Sequence, residues 1–426
     1  MYTRFLLKNR TTLLTEKLIV TIFACAYLIL FLTISKLTLI SSIFFYASFI
    51  LIFLVWLLNL SSGIQKVDRL AIAIIIISFF CISVNAILCD AVISFNYMKK
   101  YIMFCSTILW FSVMSNANVI SMKSIRRAIH LMNFLFSFFL IIVFILSNDQ
   151  LFFWNGIKTK YLLFNFENPN KTGMYLAVVS IYNLLGTTFW KKYFIKIISL
   201  LEFFALFYFI YLTKCRTALL AVLFFVTVFL YFICFQKGKT FKIKKFVSVC
   251  LALFPLIFAI LYLNIIQTSW IRQHFSFLVE EGKNLDSRSD MWLFAFEKYK
   301  ESPFFGAYYQ ISGGSGQSQL HNIEVDILVS YGPVVLILLI IWLSQIMLLW
   351  NKRKNQPLYC IALITVLLLG CGEAALFSGA AGYNILVGGF IALSFQTNGY
   401  NLHRKFDDEN VRFKEYLELY KTVNGK

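Results

Sequence analysis

The sequence is poor in the residues on which soluble and multidomain proteins depend. Only 14% of its 426 residues are charged, and it contains five prolines. Hydrophobic residues reach 60% and the mean hydropathy is +0.76, whereas a soluble domain is about half apolar. A soluble globular domain is therefore excluded. Because the chain also lacks an internal repeat, a low-complexity tract and a Pro-rich linker, we predict a single membrane domain over residues 1–426.

Metal-binding and disulfide patterns are also missing. The nine cysteines lie mostly within apolar segments, and no two of them form a C-x-x-C pair, so neither a disulfide framework nor a zinc site is indicated. Glu324 and Asp326 are the most suggestive acidic pair. Two residues apart on a helix, they would point about 200° from each other and would not converge on one ion. The sequence predicts no metal and no cofactor.

What the chain does have is a series of long apolar runs. At about 20 residues each, they match the length of a helix that crosses a hydrocarbon core of roughly 30 Å, whereas barrel strands would be short and alternating. We predict an all-α integral membrane protein with about twelve transmembrane helices. The predicted segments are Leu18–Ser35, Leu39–Leu60, Leu70–Leu88, Tyr101–Ile120, Ile129–Ser147, Gly173–Trp190, Phe194–Thr213, Thr217–Gln236, Phe246–Ile266, Asn322–Trp350, Pro357–Leu376 and Tyr383–Phe395.

Basic residues predict the orientation of these helices. With a cytoplasmic N-terminus, the inner segments hold about two thirds of the 39 lysines and arginines, as the positive-inside rule requires. This distribution accounts for the net charge of +19 and indicates affinity for anionic inner-leaflet lipid rather than nucleic acid. Both termini are then cytoplasmic and the first apolar segment is a retained anchor. The tail, residues 396–426, is either an interfacial helix or a solvated terminus.

Two polar excursions are predicted on the outer side. The first ends in an Asn-Pro-Asn turn at Asn168 and Asn170, after which Thr172 could cap the next helix; the same amides and hydroxyls also suit a sugar or a phosphate. The second, residues 267–320, is the longest polar segment. Helical spacing of apolar residues from Ser287 onward predicts a short amphipathic helix within it, ending near Pro303.

Two arginines are candidate ligands for an anion at the outer surface. Arg216 lies at the outer end of a predicted span, two residues after Lys214, where an arginine is otherwise a membrane anchor. Arg288 occupies the first turn of the amphipathic helix, one turn before Trp292. Free backbone N–H groups and the positive end of the helix dipole already favour an anion there.

A histidine completes the set of candidate residues. His321 opens the tenth predicted span beside Asn322, and Glu324 follows on the same face, close enough to orient an imidazole. A lone interfacial histidine is more often structural. Together with two arginines, however, it suits chemistry on a lipid-linked diphosphate, because arginines neutralise phosphate oxygens and a histidine can deprotonate a hydroxyl. Glu202 and Glu373, predicted within spans, keep a transporter or flippase open as the alternative.

In order and spacing, the polar motifs resemble the bacterial O-antigen ligase and polymerase superfamily, which includes Wzy-type polysaccharide polymerases. The resemblance covers about residues 160 to 335. The motifs are Asn168-Pro169-Asn170-Lys171-Thr172-Gly173, then Thr213 to Thr217, then Ser287-Arg288 with Trp292 and Ser302-Pro303-Phe304-Phe305-Gly306, and finally His321-Asn322 with Leu328 and Gly332.

The resemblance implies a metal-independent membrane glycosyltransferase that uses an undecaprenyl diphosphate-linked donor at the outer face of the bacterial inner membrane. Arg216 and Arg288 would hold the diphosphate, and His321 would serve the acceptor hydroxyl or the diphosphate. The implied partners are a lipid-linked oligosaccharide and membrane lipid, with a chain-length regulator left open. A polymerase adds the glycan to a lipid-linked repeat unit of O-antigen, capsule or exopolysaccharide, and a ligase adds it to lipid A core. The Asn-Pro-Asn turn and Tyr331-Gly332-Pro333 look more like polymerases.

Overall fold

The computed structural model is helical through most of its length. It describes residues 2–60, 64–89, 95–116, 122–147, 151–155, 159–166, 168–236, 240–266, 287–312, 320–352, 355–372, 375–378 and 381–395. The tail, residues 396–426, predicted to be either an interfacial helix or a solvated terminus, and Glu373 lie outside the described residues. The prediction of an all-α integral membrane protein is confirmed.

The described residues contain the following helices in chain order. They are α1 (Tyr2–Ile34), α2 (Thr38–Leu60), α3 (Lys66–Leu88), α4 (Phe95–Ser115), α5 (Met122–Leu146), α6 (Pro169–Phe189), α7 (Tyr193–Thr213), α8 (Arg216–Phe235), α9 (Lys245–Ala252), α10 (Phe254–Ile266), α11 (Ser287–Glu301), α12 (Tyr308–Ser312), α13 (Ile323–Tyr331), α14 (Pro333–Lys352), α15 (Pro357–Leu369), α16 (Ala375–Ser378) and α17 (Ala381–Ser394). An antiparallel hairpin of β1 (Phe152–Asn155) and β2 (Thr159–Leu162) precedes α6, and the sequence did not predict it.

Among the described residues, seven helices are long and apolar enough to cross a membrane, and an eighth span is formed if α9 and α10 count as one bent helix. Two shorter apolar helices correspond to α15 and α17. The predicted number of about twelve spans therefore stays a prediction. Apolar side chains on the outside of the bundle, such as Leu39 at 77% exposure and Ile87 at 76%, suit a hydrocarbon environment.

Two predicted spans are broken in the structure. α9 and α10 meet at an angle of 53°, directly before Pro255, which lacks the N–H group that a continuous helix would use. α13 and α14 are separated by Gly332, whose φ of +85° lies outside the helical region, and Pro333 is the first residue of α14. At the first break the Pro255 carbonyl accepts a hydrogen bond from Asn322, and at the second Gly332 lies against the Phe304 carbonyl.

The core of the bundle is built around α17. This helix packs against α1, α4, α6 and α15. Two buried aromatic side chains donate hydrogen bonds to its backbone: Trp110 Nε1 to Ile385 O at 3.0 Å and the Tyr182 hydroxyl to Leu386 O at 2.6 Å. These bonds satisfy the polar tips of large buried rings. The resulting rigid core supports the helix ends at which the polar motifs meet.

Candidate functional site at one end of the bundle

The start of α6 packs directly on the turn between α7 and α8. A Cβ atom at Gly173 would come within 2.5 Å of Cys215 Cβ and 3.0 Å of Thr213 Oγ1, so the two segments approach each other too closely for any larger residue. The Thr213 hydroxyl accepts the Cys215 backbone N–H at 3.2 Å. The first two polar motifs of the sequence therefore form one structural unit.

Asn168 and Thr172 build the local backbone of this unit. Asn168 is the N-cap of α6, and its side chain accepts the Asn170 backbone N–H at 2.8 Å. The buried Thr172 hydroxyl donates to Leu163 O at 2.8 Å. The predicted cap at Thr172 is thus wrong, because the helix already begins at Pro169. Of the three predicted binding residues, Asn170 keeps a half-buried side chain that is not used in the cap.

The α7–α8 turn exposes two cations beside an open cavity. Lys214 has a left-handed backbone (φ +56°), is exposed, and places Nζ 5.1 Å from the centre of the Tyr161 ring in β2. Arg216 is the first residue of α8 and is also exposed. Both residues line a cavity of about 320 Å³ whose remaining wall is mostly apolar, including Tyr211 and Leu219.

The start of α8 adds to the positive character of this cavity. Its N-cap, Cys215, makes no side-chain capping hydrogen bond, so the first backbone N–H groups of the helix are not satisfied by a cap. The positive end of the helix dipole lies at the same place. An anionic group with an attached lipid chain matches the two cations and the apolar wall.

The start of α13 is held by a single buried side chain. Asn322 is fully buried; its Oδ1 atom accepts the backbone N–H groups of Glu324 and Val325 at 3.1 and 3.0 Å. Its Nδ2 atom donates to Pro255 O at 2.8 Å and to Cys371 O at 3.3 Å. Both polar atoms of Asn322 already bind the protein, and its predicted contact with substrate stays a prediction.

The acidic side chains of α13 turn to different neighbours, as the 200° separation predicts. Glu324 is 2% exposed and accepts the Leu256 backbone N–H of α10 at 2.6 Å. Asp326 pairs with Lys100 Nζ of α4 at 3.2 Å, and that ammonium group also lies 5.6 Å from the Tyr308 ring centre. Glu324 thus caps a neighbouring helix, and its predicted contact with substrate stays a prediction. In the described part of the chain, no group of three His, Cys, Asp or Glu side chains could hold a metal ion.

A tight turn after α15 joins the two halves of the site. The Ile323 backbone N–H of α13 donates to Gly370 O at 3.1 Å. Two residues later, a Cβ atom at Gly372 would lie 2.5 Å from the Thr217 hydroxyl of α8. The starts of α8 and α13 therefore contact the same short turn from two sides. This contact brings the segment of Arg216 close to the segment of His321.

His321 itself has an unusual backbone. Its φ is +50°, in the left-handed region that non-glycine residues seldom occupy, and its side chain is half-buried. The strain is maintained by Asn322, which fixes the following helix, and by the preceding residue Leu320, whose carbonyl accepts a bond from Trp292. Strained positions of this kind often occur at functional sites.

The amphipathic helix predicted in the second excursion is present as α11 and packs inward. Trp292 is fully buried, contacts Tyr262 edge to face at 5.5 Å and donates its indole N–H to Leu320 O. The ring thus fills the core, and the predicted contact of Trp292 with substrate stays a prediction. Arg288 lies one turn earlier in α11; its side chain is outside the described residues, but its helix runs beside the residue before His321.

Sequence reasoning missed the residues that position α13. Lys100 is 226 positions from Asp326 along the chain, and Pro255 is 67 from Asn322. For Asn85 in α3 the sequence did contain a signal, because a polar amide within an apolar span is expected to have a partner. Its side chain donates to Gly306 O at 2.7 Å and accepts the Tyr309 N–H at 3.1 Å. It ties the second excursion to the bundle.

Comparison with known proteins identifies one segment of the chain. Residues 201–340, which are 140 of the 426 residues, match the family model described as O-antigen ligase. The matched segment contains Arg216, Arg288 and His321 and begins after the Asn-Pro-Asn turn. No curated protein and no solved structure gives a significant match.

Proposed function

We propose that this chain, a multi-pass membrane protein of the O-antigen ligase and polymerase superfamily, is a polysaccharide polymerase. It would transfer an undecaprenyl diphosphate-linked glycan onto a lipid-linked repeat unit at the outer face of the bacterial inner membrane, with both termini in the cytoplasm. Members of this family are membrane glycosyltransferase-like enzymes that act on lipid-linked oligosaccharides. The donor, the acceptor and the membrane face named here extend that general activity.

The observation that carries the proposal is the pair of exposed cations, Lys214 and Arg216, beside the cavity at the α7–α8 turn. A polyprenyl diphosphate has two negatively charged phosphates joined to a long apolar chain. The phosphates suit the two cations and the uncapped start of α8. The polyprenyl chain suits the exposed apolar surface of the neighbouring helices, including Tyr211 at 63% exposure and Leu220 at 66%.

The proposed reaction is a displacement at the anomeric carbon of the donor sugar. An acceptor hydroxyl oxygen forms the new C–O bond while the bond between that carbon and the diphosphate breaks, and the diphosphate leaves with the bonding electron pair. Arg216 and Arg288 stabilise its negative charge. The hydroxyl proton passes to His321 or to a phosphate oxygen. Since the diphosphate is a good leaving group, holding the two substrates in place contributes much of the rate.

A single assay tests this proposal. Purified protein in lipid is incubated with an undecaprenyl diphosphate-linked repeat unit as sole substrate, and the products are resolved on a gel. We expect a ladder of multiples of the repeat. Transfer only after lipid A core is added would make the protein a ligase. Unchanged substrate under both conditions would contradict glycosyl transfer and leave transport as the function to test.

A ligase is the second candidate because the matched family model is described as O-antigen ligase. The two features that resemble polymerases have structural roles here: Asn168 caps α6, and Gly332 packs against the second excursion, where a Cβ atom would lie within 2.3 Å of Phe304 O. They support the fold and say little about the acceptor. The choice of acceptor is therefore decided by the assay.

Variants test the roles of the remaining residues. We expect Arg288→Ala to abolish turnover without loss of folded protein, because the diphosphate would lose one of its two arginines.

We also expect His321→Ala to reduce turnover far more than His274→Ala, which serves as the control. Normal turnover in Arg288→Ala, or equal losses in the two histidine variants, would remove these assignments.

A further inference from the structure

At the end of the bundle opposite Arg216, a short segment is held against α14 by two asparagines. Asn355 exchanges two hydrogen bonds with the backbone of Phe241: its Oδ1 atom accepts the N–H at 2.8 Å and its Nδ2 atom donates to the carbonyl at 2.6 Å. Asn351 makes the same pair of bonds with Ile243, at 2.8 and 2.6 Å. We call residues 240–244 the basic strap.

The spacing of these bonds shows why the strap is extended. Alternate residues of an extended chain lie on the same face and are roughly 6.6 Å apart. Asn351, in the last turn of α14, and Asn355, which lies beyond the end of that helix, bond to alternate residues of the strap, Ile243 and Phe241. Four side-chain bonds to the backbone fix the strap in one register, unlike an ordinary lysine-rich loop.

Fixing this register determines where the lysines lie. Because side chains alternate along an extended chain, the residues between the two bonded positions belong to the opposite face. Ile243 is 5% exposed and the Phe241 ring lies 5.7 Å from that of Trp350, so this face packs on the bundle. Lys242 and Lys244 are exposed, and Lys245, the first residue of α9, is exposed as well.

Large apolar side chains are exposed on both sides of these lysines. Phe246, which follows directly, is 77% exposed, and Phe235, at the end of α8, is 71% exposed. α8 and the bent α9–α10 pair are candidate membrane spans, so the strap lies where two spans end. Exposed aromatic rings next to lysines at such a position are typical of the boundary between lipid headgroups and acyl chains.

We propose that the basic strap is a binding surface for the headgroups of anionic phospholipids. Lys242, Lys244 and Lys245 would contact the phosphate and Phe246 the acyl chains. The N-terminus of α9, whose cap makes no side-chain hydrogen bond, contributes further positive potential. The chemistry selects phosphatidylglycerol or cardiolipin over phosphatidylcholine, because the choline cation would be repelled by the lysines.

A fixed backbone makes this surface specific rather than a general effect of charge. A mobile loop with the same lysines would lose conformational entropy on binding, whereas the strap is already ordered by the two asparagines. Lipid selectivity should therefore depend on the asparagines as well as on the lysines. This dependence separates the proposal from the general tendency of cytoplasmic loops to be basic.

The test measures lipid retention by the full-length protein. The protein is purified in mixed micelles that contain equal amounts of dioleoyl phosphatidylglycerol and dioleoyl phosphatidylcholine, and the retained lipids are counted by native mass spectrometry. The first variant is Lys242→Gln/Lys244→Gln/Lys245→Gln. The control is Lys66→Gln/Arg69→Gln/Arg127→Gln, which removes the same number of exposed charges. Lys66 and Arg69 are at the start of α3, which is capped by Asp68.

We expect the strap variant to lose phosphatidylglycerol affinity by about five-fold per lysine, and the control to stay within about two-fold of the unmodified protein. Asn351→Leu/Asn355→Leu, which keeps every lysine, should also lose several-fold. Equal losses in the strap variant and the control would overturn the proposal, as would full retention in either strap-directed variant. Since no glycosyl transfer is measured, the outcome is independent of the proposed function.

Discussion

The α7–α8 turn and α13 are both rich in polar residues, but they use them in opposite ways. Lys214 and Arg216 are exposed beside a cavity. At the start of α13, Asn322, Glu324 and Asp326 are at most 2% exposed. Asn322 and Glu324 bond to α10, and Asp326 pairs with α4. The comparison shows that a polar residue in an apolar chain is as often a means of positioning a helix as a ligand for substrate.

The largest expected effect is at the exposed turn. Removing an arginine that stabilises a leaving diphosphate should lower turnover by roughly 100-fold or more, while the midpoint of thermal unfolding stays unchanged because Arg216 is exposed. Arg216→Ala is compared with Arg127→Ala, an exposed arginine on α5. Loss of turnover in both, or in neither, would contradict the role of the turn.

At Asn322 we expect stability and activity to fall together. Asn322→Ala removes four hydrogen bonds and leaves buried backbone groups unsatisfied, which should cost roughly 2–3 kcal/mol. SDS-induced unfolding measures the free energy of unfolding of each variant. Asn322→Asp keeps the two accepted bonds but places a buried carboxylate oxygen against the Pro255 and Cys371 carbonyl oxygens, so it should lower the free energy of unfolding at least as much as Asn322→Ala. A stable but inactive Asn322→Ala protein would mean that this side chain contacts substrate after all.

A smaller effect is expected at the ion pair between α4 and α13. Lys100→Met leaves the Asp326 carboxylate buried without its cation, which should lower the free energy of unfolding by roughly 2 kcal/mol. The loss is smaller than for breaking a fully enclosed ion pair, because the Lys100 side chain is 10% exposed. Lys100→Met/Asp326→Leu should recover most of the loss in the same unfolding measurement. No recovery would show that the pair is not the cause.

The smallest effect is expected at Glu202. Its carboxyl group is 2% exposed and neither of its oxygens has a hydrogen-bond partner in the described part of the chain. Glu202→Gln keeps the shape of the side chain and removes the possibility of charge, so stability should change by less than about 0.5 kcal/mol and turnover should be retained. A large loss of turnover would point to proton or ion movement through α7, and with it to the transporter alternative.

Hydropathy was sufficient to predict the fold class and most of the helices, because long apolar runs have few other solutions in a membrane. It did not predict the break at Pro255, since a proline within an apolar run is also compatible with a kinked continuous helix. The short length of α15, which ends at Leu369 rather than at the predicted Leu376, depends on the packing of Gly370 and Gly372. Such packing is a property of the folded bundle.

The motifs of the candidate site were predicted, but not which of their residues are exposed and which position helices. Arg216 and Lys214 were singled out because cations are unusual at a helix end predicted to lie on the outer side; the structure leaves both exposed, and their contact with substrate stays a prediction. Asn322, Glu324 and Trp292 were assigned to substrate because polar or aromatic residues near a functional motif suggest contact. Their partners are far away in sequence, such as Leu256 for Glu324, and only the three-dimensional arrangement reveals them.

The left-handed backbones of Lys214 and His321 have a practical consequence. For any residue other than glycine this conformation costs roughly 1–2 kcal/mol in the folded state. Glycine avoids this cost, but about half of the stability gained is lost because a glycine makes the unfolded chain more flexible. Lys214→Gly and His321→Gly should thus remain as well folded as the parent protein while losing a cation or an imidazole. His321→Gly, which keeps both cations beside the cavity, would be the preferred starting material for capturing the intact donor lipid for cryo-electron microscopy.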